Sequence, residues 1–134
     1  MQRKILCCDD EKPIVRLLEV NLQRQGFEVL KAYNGAECLQ MVETDRPDLI
    51  ILDVMMPEMS GFEVLQKLKG DPSTAEIPVI MLTARSQDAD VIRGWQSGVE
   101  TYLTKPFNSL ELISFVKRIF AMQDSQNDEK RYTI

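Results

Sequence analysis

The chain has 134 residues, 44% of them hydrophobic, which predicts one domain with a substantial core. Its 16 basic and 21 acidic residues give a net charge of −5, which disfavours nonspecific binding to nucleic acid. The absence of histidine excludes histidine-dependent triads and histidine-ligated metals within this chain. No apolar run approaches the roughly 20 residues that span a bilayer. Because Met1-Gln2-Arg3-Lys4 leads directly into a strand, we expect a cytoplasmic protein without a signal peptide.

Apolar strand-like runs alternate with helix-like segments along the whole chain. The predicted strands are Lys4–Cys8, Phe27–Tyr33, Leu49–Val54, Pro78–Leu82 and Thr101–Thr104. The first, third and fourth are almost continuously hydrophobic, which is typical of parallel strands covered on both faces. Three cysteines, Cys7, Cys8 and Cys38, are an odd set that argues against a disulfide framework or a zinc site. We expect them to be buried small hydrophobes in a reducing compartment.

A helix is predicted after each strand. The five segments are marked by Pro13 and Gly26, by Asn34-Gly35, by Ser60 with Glu63, by Asp88 with Trp95, and by Asn108. The fourth is the weakest, since Gly94 costs about 1 kcal/mol relative to alanine. From about Gln123 the chain becomes polar, which predicts a domain over 1–122 and a tail over 123–134. The tail is expected to be a solvated, mobile end or the start of a linker.

Five β-α units of this length predict a doubly wound α/β domain with right-handed crossovers. Ligands of such sheets bind outside the carboxyl ends of the strands. Polar residues stand at those ends in four of the five strands: Asp9, Asp10, Asp53, Thr83 and Lys105. Taken singly, each has an ordinary explanation as a cap, a turn former or a surface charge, and Asp10 could cap the first helix. Taken together, they predict one site.

The chemistry of this set favours phosphoryl transfer. Clustered carboxylates repel one another, and Mg²⁺ would relieve that repulsion through oxygen ligands. A carboxylate can act as a nucleophile toward phosphorus. Lys105 can neutralise the phosphoryl oxygens, and the Thr83 hydroxyl can donate a hydrogen bond to them.

These residues resemble the receiver domain of two-component response regulators, a chemotaxis-regulator-like family, over about Lys4–Met122. The resemblance rests on Asp9-Asp10, Asp53, Met56-Pro57 with Gly61, Thr83-Ala84, and Tyr102 with Lys105-Pro106. It implies a flavodoxin-like fold, with a five-stranded parallel sheet of order 2-1-3-4-5 and helices on both faces.

The resemblance also implies a role for each site residue. Asp53 would accept a phosphoryl group from a histidine kinase or phosphotransfer protein. Mg²⁺ would be held by Asp10 and Asp53 directly, by Asp9 through water, and by the backbone carbonyl of Met55. Thr83, Ala84 and Lys105 would bind the phosphate, Tyr102 would be the switch aromatic, and the bond before Pro106 would be cis. The face of helix four, strand five and helix five would then bind an effector. The chain itself would be a monomer or a phosphorylation-induced dimer.

Two positions depart from the commonest family pattern. Met55 and Arg85 lie two residues after Asp53 and Thr83, and we hypothesise that they slow hydrolysis of the aspartyl-phosphate. Val99-Glu100-Thr101 also differs from the residues often found before the switch aromatic, which leaves the effector open.

The prediction is a signalling receiver whose own chemistry is limited to self-phosphorylation and slow autodephosphorylation. Three other classes of protein are alternatives. An aspartate-nucleophile phosphatase would carry a second Asp where this chain has Met55. A flavodoxin-like cofactor binder would need a polar uncharged loop where Asp9-Asp10-Glu11 would repel phosphate. A degenerate receiver would lack phosphate-handling residues that are present here.

A stand-alone regulator without direct nucleic-acid or membrane binding is expected. The alternative is a receiver excised from a longer DNA-binding response regulator.

Overall fold

A five-stranded parallel sheet forms the centre of the molecule. The computed structural model describes residues 2–84 and 99–132. The strands are β1 (Lys4–Cys8), β2 (Glu28–Ala32), β3 (Leu49–Asp53), β4 (Val79–Thr83) and β5 (Thr101–Thr104). All neighbours pair in parallel, in the order β2-β1-β3-β4-β5. The predicted strand order and the doubly wound α/β class are therefore confirmed.

The described helices are α1 (Lys12–Arg24), α2 (Gly35–Asp45), α3 (Gly61–Lys69) and α4 (Ser109–Tyr132). Their starts follow the predicted signals. Ser60 Oγ accepts a hydrogen bond from the Glu63 backbone N–H at 3.2 Å, and Asn108 Oδ1 accepts one from that of Leu110 at 2.8 Å. The fourth predicted helix, with Asp88 and Trp95, lies outside the described residues, and so does Arg85.

Successive side chains of each strand enter two different cores, because neighbours on a strand point to opposite faces of the sheet. Leu6, Ile50 and Met81 pack in one core with α2 and α3. Ile5, Ile51 and Ile80 pack in the other core with α1 and α4. Every residue of β3 and β4 is buried, which explains their continuous hydrophobicity.

The cysteines follow the same alternation. Cys7 lies in the core beneath α1, whereas Cys8 and Cys38 lie in the core beneath α2 and α3. All three are free and fully buried, as expected. Burial raises the pKa of the Cys7 thiol well above its ordinary value.

Helix α4 continues into the polar segment that the sequence predicted as a solvated, mobile end. The first residues of this segment contact Arg3, which directly precedes β1. The Arg3 guanidinium donates to Gln123 Oε1 at 3.0 Å, pairs with Asp124, and lies 4.3 Å from the centre of the Phe120 ring. These contacts anchor the helix where the polar segment begins, and the domain boundary at residue 122 stays a prediction. Across the described part of the chain, we find no helix with the length and apolarity needed to cross a membrane.

Candidate functional site

The predicted site residues meet at the carboxyl edge of the sheet. Asp9 follows β1, Asp53 and Thr83 are the last residues of β3 and β4, and Lys105 follows β5. The strand register places the ends of β1 and β3 side by side, since Cys8 on β1 lies opposite Leu52 on β3. The parallel order thus brings together polar groups that are more than 90 residues apart in the chain.

Three carboxylates form the centre of the site. One oxygen each from Asp9, Asp10 and Asp53 lies within 4.8 Å of the others. Asp9 is fully buried and Asp53 is 3% exposed, whereas Asp10 is exposed to solvent. Backbone N–H groups orient the buried pair: that of Glu11 donates to Asp9 Oδ1 at 2.9 Å, and that of Met55 donates to Asp53 Oδ1 at 3.4 Å.

Lys105 is the cation of this cluster. Its Nζ lies 2.7 Å from Asp9 Oδ2, 3.3 Å from Asp53 Oδ1 and 3.4 Å from Glu11 Oε2. Burial of the side chain lowers the pKa of Lys105, but the contacts with Asp9 and Asp53 outweigh it and raise that pKa overall. The lysine therefore stays charged over the neutral range. The peptide bond between Lys105 and Pro106 is cis.

Asp53 has the most perturbed carboxyl of the site. Burial first, and the neighbouring Asp9 second, raise the pKa of Asp53 to about 7, against the opposing effects of Lys105 and of the Met55 N–H. An acid that titrates near neutrality where a strand emerges is a marker of a functional site. Additional positive charge would keep this carboxylate ionised.

The donor set fits a hard divalent cation. Asp9 Oδ2 is fully buried, and among the described residues it has no well-aligned hydrogen-bond donor, because its contact with Lys105 Nζ is an ion pair only. Within the described residues, three carboxylates face one close lysine, so this part of the site carries an excess of negative charge. Oxygen ligands and this charge are what Mg²⁺ requires.

The loop after β3 presents Asp53 through an unusually close backbone contact. The Gly61 N–H donates to the Val54 carbonyl at 2.8 Å. A Cβ added to Gly61 would lie 2.9 Å from the carbonyl carbon of Asp53 and 3.0 Å from the Val54 Cα. Only glycine therefore lets the first turn of α3 rest on the end of β3. Met55, in the same loop, is 58% exposed beside the site.

The remaining predicted residues lie around this centre. Thr83 is fully buried, and its carbonyl accepts a hydrogen bond from the Lys105 N–H at 2.7 Å. Ala84 is exposed, and Tyr102 is half-buried against the core beneath α2 and α3. Glu11 is the residue that sequence reasoning missed as a member of the site. Its place in Asp9-Asp10-Glu11 was the available signal, but its contact with Lys105 spans 94 positions.

Comparison with known proteins decides the family. The family described as "Response regulator receiver domain" matches residues 5–117. The chain belongs to the response regulator receiver domain family. It is therefore a receiver domain of two-component signal transduction, a signalling module instead of a classical enzyme.

Individual relatives agree with this assignment. The chain is 44% identical over 119 residues to the alkaline phosphatase synthesis transcriptional regulatory protein PhoP of Bacillus subtilis. That match covers 89% of the chain and 49% of PhoP, so the chain spans about half the length of this curated relative.

Solved structures resemble the whole described fold. A putative response regulator from Chloroflexus aurantiacus is 35% identical with a TM-score of 0.83, covering 90% of this chain and 99% of the other. The chemotaxis protein CheY4 of Vibrio cholerae is 33% identical with a TM-score of 0.81, covering 88% and 98%. The receiver domain of a histidine kinase from Syntrophus aciditrophicus is 38% identical with a TM-score of 0.80, covering 89% and 90%.

Proposed function

We propose that Asp53 of this receiver domain accepts a phosphoryl group and that Asp9, Asp10 and Lys105 make the transfer possible. The observation that carries the proposal is the position of Asp53: 3% exposed, at a strand end, 3.3 Å from Lys105 Nζ and clustered with two further acids. This arrangement pairs a nucleophile with positive charge in a partly desolvated pocket.

The reaction is a displacement at phosphorus. A carboxylate oxygen of Asp53 forms the new O–P bond while the N–P bond of a phosphohistidine, or the O–P bond of an acyl phosphate, breaks and the leaving group takes the electron pair. The nucleophile must be ionised, which the pKa of about 7 opposes and the ammonium of Lys105 favours. Because these 134 residues contain no histidine, a phosphohistidine donor would lie outside them.

The carboxylates of Asp9, Asp10 and Asp53, with the backbone carbonyl of Met55, would hold Mg²⁺. When bound, the ion would supply positive charge against the oxygens of the transferred phosphoryl group. The three acids alone carry more negative charge than Lys105 balances, which is why the ion is needed before a phosphodianion can approach.

Lys105, Thr83 and Ala84 would bind the phosphoryl group once it is on Asp53. Lys105 already contacts Asp53, and the buried Thr83 ends the strand beside it. Phosphorylation adds about 1.5 to 2 negative charges, which draw Lys105 and the Thr83 hydroxyl toward the new oxygens. Tyr102, half-buried on β5, would report this rearrangement to the surface formed by β5, α4 and the predicted fourth helix.

The partners follow from this chemistry. A sensor histidine kinase or phosphotransfer protein would phosphorylate Asp53, and an effector would bind the surface that includes β5 and α4. A second arrangement is that the chain is the receiver part of a longer DNA-binding regulator. The observation that favours it is the 49% coverage of PhoP, which is described as a transcriptional regulatory protein.

Phosphorylation by a small donor tests the proposal. The protein is incubated with Mg²⁺ and acetyl phosphate and its intact mass is measured. We expect one added phosphate that requires Mg²⁺ and disappears in Asp53→Asn. The matched control is Asp45→Asn, an exposed acid at the end of α2, which should be phosphorylated like the parent. A phosphate retained by Asp53→Asn would show that the acceptor is another residue.

A further inference from the structure

Glu11 occupies a cap position without acting as a cap. It precedes α1, but its side chain makes no hydrogen bond to the first turn of that helix. Its Oε2 lies instead 3.4 Å from Lys105 Nζ. The backbone of Glu11 is held in place because its N–H donates to Asp9 Oδ1 at 2.9 Å. The side chain is therefore directed at the site, and it is 60% exposed at the rim.

Three carboxylates thus share one ammonium group. Asp9 and Asp53 contact Lys105 from the buried side of the pocket, and Glu11 contacts it from the solvent side. Of these three contacts, only that with Glu11 is a hydrogen bond, whereas those with Asp9 and Asp53 are ion pairs. New phosphoryl oxygens on Asp53 would compete for the N–H donors of the ammonium, so the hydrogen bond to Glu11 must weaken. Glu11 is the partner that water can best replace, because its carboxylate is the most exposed of the three.

We propose that Glu11 is a positioning residue that competes with the phosphoryl group for Lys105. It holds the ammonium at the rim while Asp53 is free, and it must release the ammonium when the phosphoryl group arrives. Glu11 thereby weakens the binding of a phosphoryl group at Asp53. This inference rests on the proposed role of Asp53 as the acceptor.

The size of the effect follows from the exposure of the pair. Ion pairs with a solvent-exposed partner contribute little, so that losing the competitor should strengthen phosphoryl binding by about two- to fivefold. The effect should shrink at high ionic strength, since the Debye length falls from about 10 Å at 0.1 M salt to about 3 Å at 1 M.

Binding of beryllofluoride, a phosphoryl mimic, measures the competition at equilibrium. Its affinity is determined by fluorine NMR at saturating Mg²⁺ for the parent and for Glu11→Gln. The control is Glu28→Gln, which makes the same charge change at an exposed position at the opposite edge of the sheet. We expect Glu11→Gln to bind about two- to fivefold more tightly and Glu28→Gln to match the parent.

A Lys105→Met background separates competition for the lysine from simple charge repulsion. If Glu11 acts through Lys105, Glu11→Gln changes the affinity in the parent and has no further effect in Lys105→Met. Equal affinities of the parent and Glu11→Gln, or an undiminished effect in Lys105→Met, would overturn the inference. The proposed role of Asp53 is checked separately: it fails, and this inference with it, if Asp53→Asn binds beryllofluoride like the parent.

Discussion

Replacing Gly61 by alanine should displace helix α3 from the end of β3 and disturb the loop that presents Asp53. The added Cβ would lie 2.9 Å from the Asp53 carbonyl carbon and 3.0 Å from the Val54 Cα, and closer still to the carbonyl oxygen of Asp53. Carbon atoms pack at about 3.5 to 4.0 Å, so the backbone must move by roughly 1 Å. The obstacles are main-chain atoms of a fully buried strand, which cannot turn away as a flexible side chain could.

The magnitude can be worked from this overlap. Forcing an extra methyl group into a packed site typically costs about 1 to 3 kcal/mol, and backbone neighbours that cannot turn away place Gly61→Ala at about 3 kcal/mol. For a domain of this size that corresponds to a melting temperature lower by about 10 °C. Because the strain falls on Asp53 and Val54, phosphorylation by acetyl phosphate should also slow at temperatures where the variant is folded.

Thermal unfolding and intact-mass kinetics test both consequences. Gly70→Ala is the matched control: its φ of −80° suits any residue, and its Cβ would lie 3.2 Å from the Gln66 carbonyl oxygen, which needs only a small adjustment. We expect Gly70→Ala to change the melting temperature by no more than a few degrees. A Gly61→Ala variant with the stability and phosphorylation rate of the parent would refute the close-contact argument.

Three further predictions concern two perturbed acids and the access of water to the site. Burial raises the pKa of Asp53 to about 7, so ionisation of Asp53 destabilises the fold as the pH rises from about 4 to about 8. In denaturant titrations without divalent cations, Asp53→Asn should raise the free energy of unfolding by up to about 4 kcal/mol at pH 8 and leave it nearly unchanged at pH 4; the same gain at both pH values would contradict this. Contacts with Lys31 at 3.0 Å and Arg16 at 2.8 Å lower the pKa of Glu19, so ionised Glu19 stabilises the fold above the ordinary carboxyl range, and this stabilisation is lost as the pH falls through the lowered pKa. Glu19→Gln should therefore reduce the loss of unfolding free energy at acid pH, and an unchanged loss would disprove the role of these pairs. The 58% exposed Met55 should shield an acyl phosphate from water, so Met55→Asn should shorten phosphate lifetime severalfold in mass-spectrometric decay assays, and equal lifetimes would count against shielding.

The sequence contained most of the fold because the cores depend on local patterns. Continuous apolar runs predicted the buried strands, and the bounds of β1 and β5 agree with the structure. Helix starts were visible because Ser60 and Asn108 cap through their own side chains. The polar end of α4 could not be predicted in this way, since its first residues, Gln123 and Asp124, contact Arg3 about 120 positions earlier in the chain.

The site was predictable in composition but not in geometry. Parallel strands place their carboxyl ends at one edge, so Asp9, Asp53 and Lys105 could be grouped before any distance was known. The contact of Glu11 with Lys105 could not be predicted, because it depends on the direction of one flexible side chain. The closeness of Gly61 to the Asp53 backbone likewise depends on the path of a loop, and the sequence shows only that a glycine is present.

Locating the phosphate on the chain tests the central claim most directly. The protein is treated with Mg²⁺ and acetyl phosphate, the acyl phosphate is reduced with borohydride, and the modified residue is located by tandem mass spectrometry. The account predicts reduction at Asp53 alone, dependent on Mg²⁺ and abolished in Asp53→Asn. Modification at Asp9, Asp10 or Glu11 in the parent, or none at any residue, would contradict it.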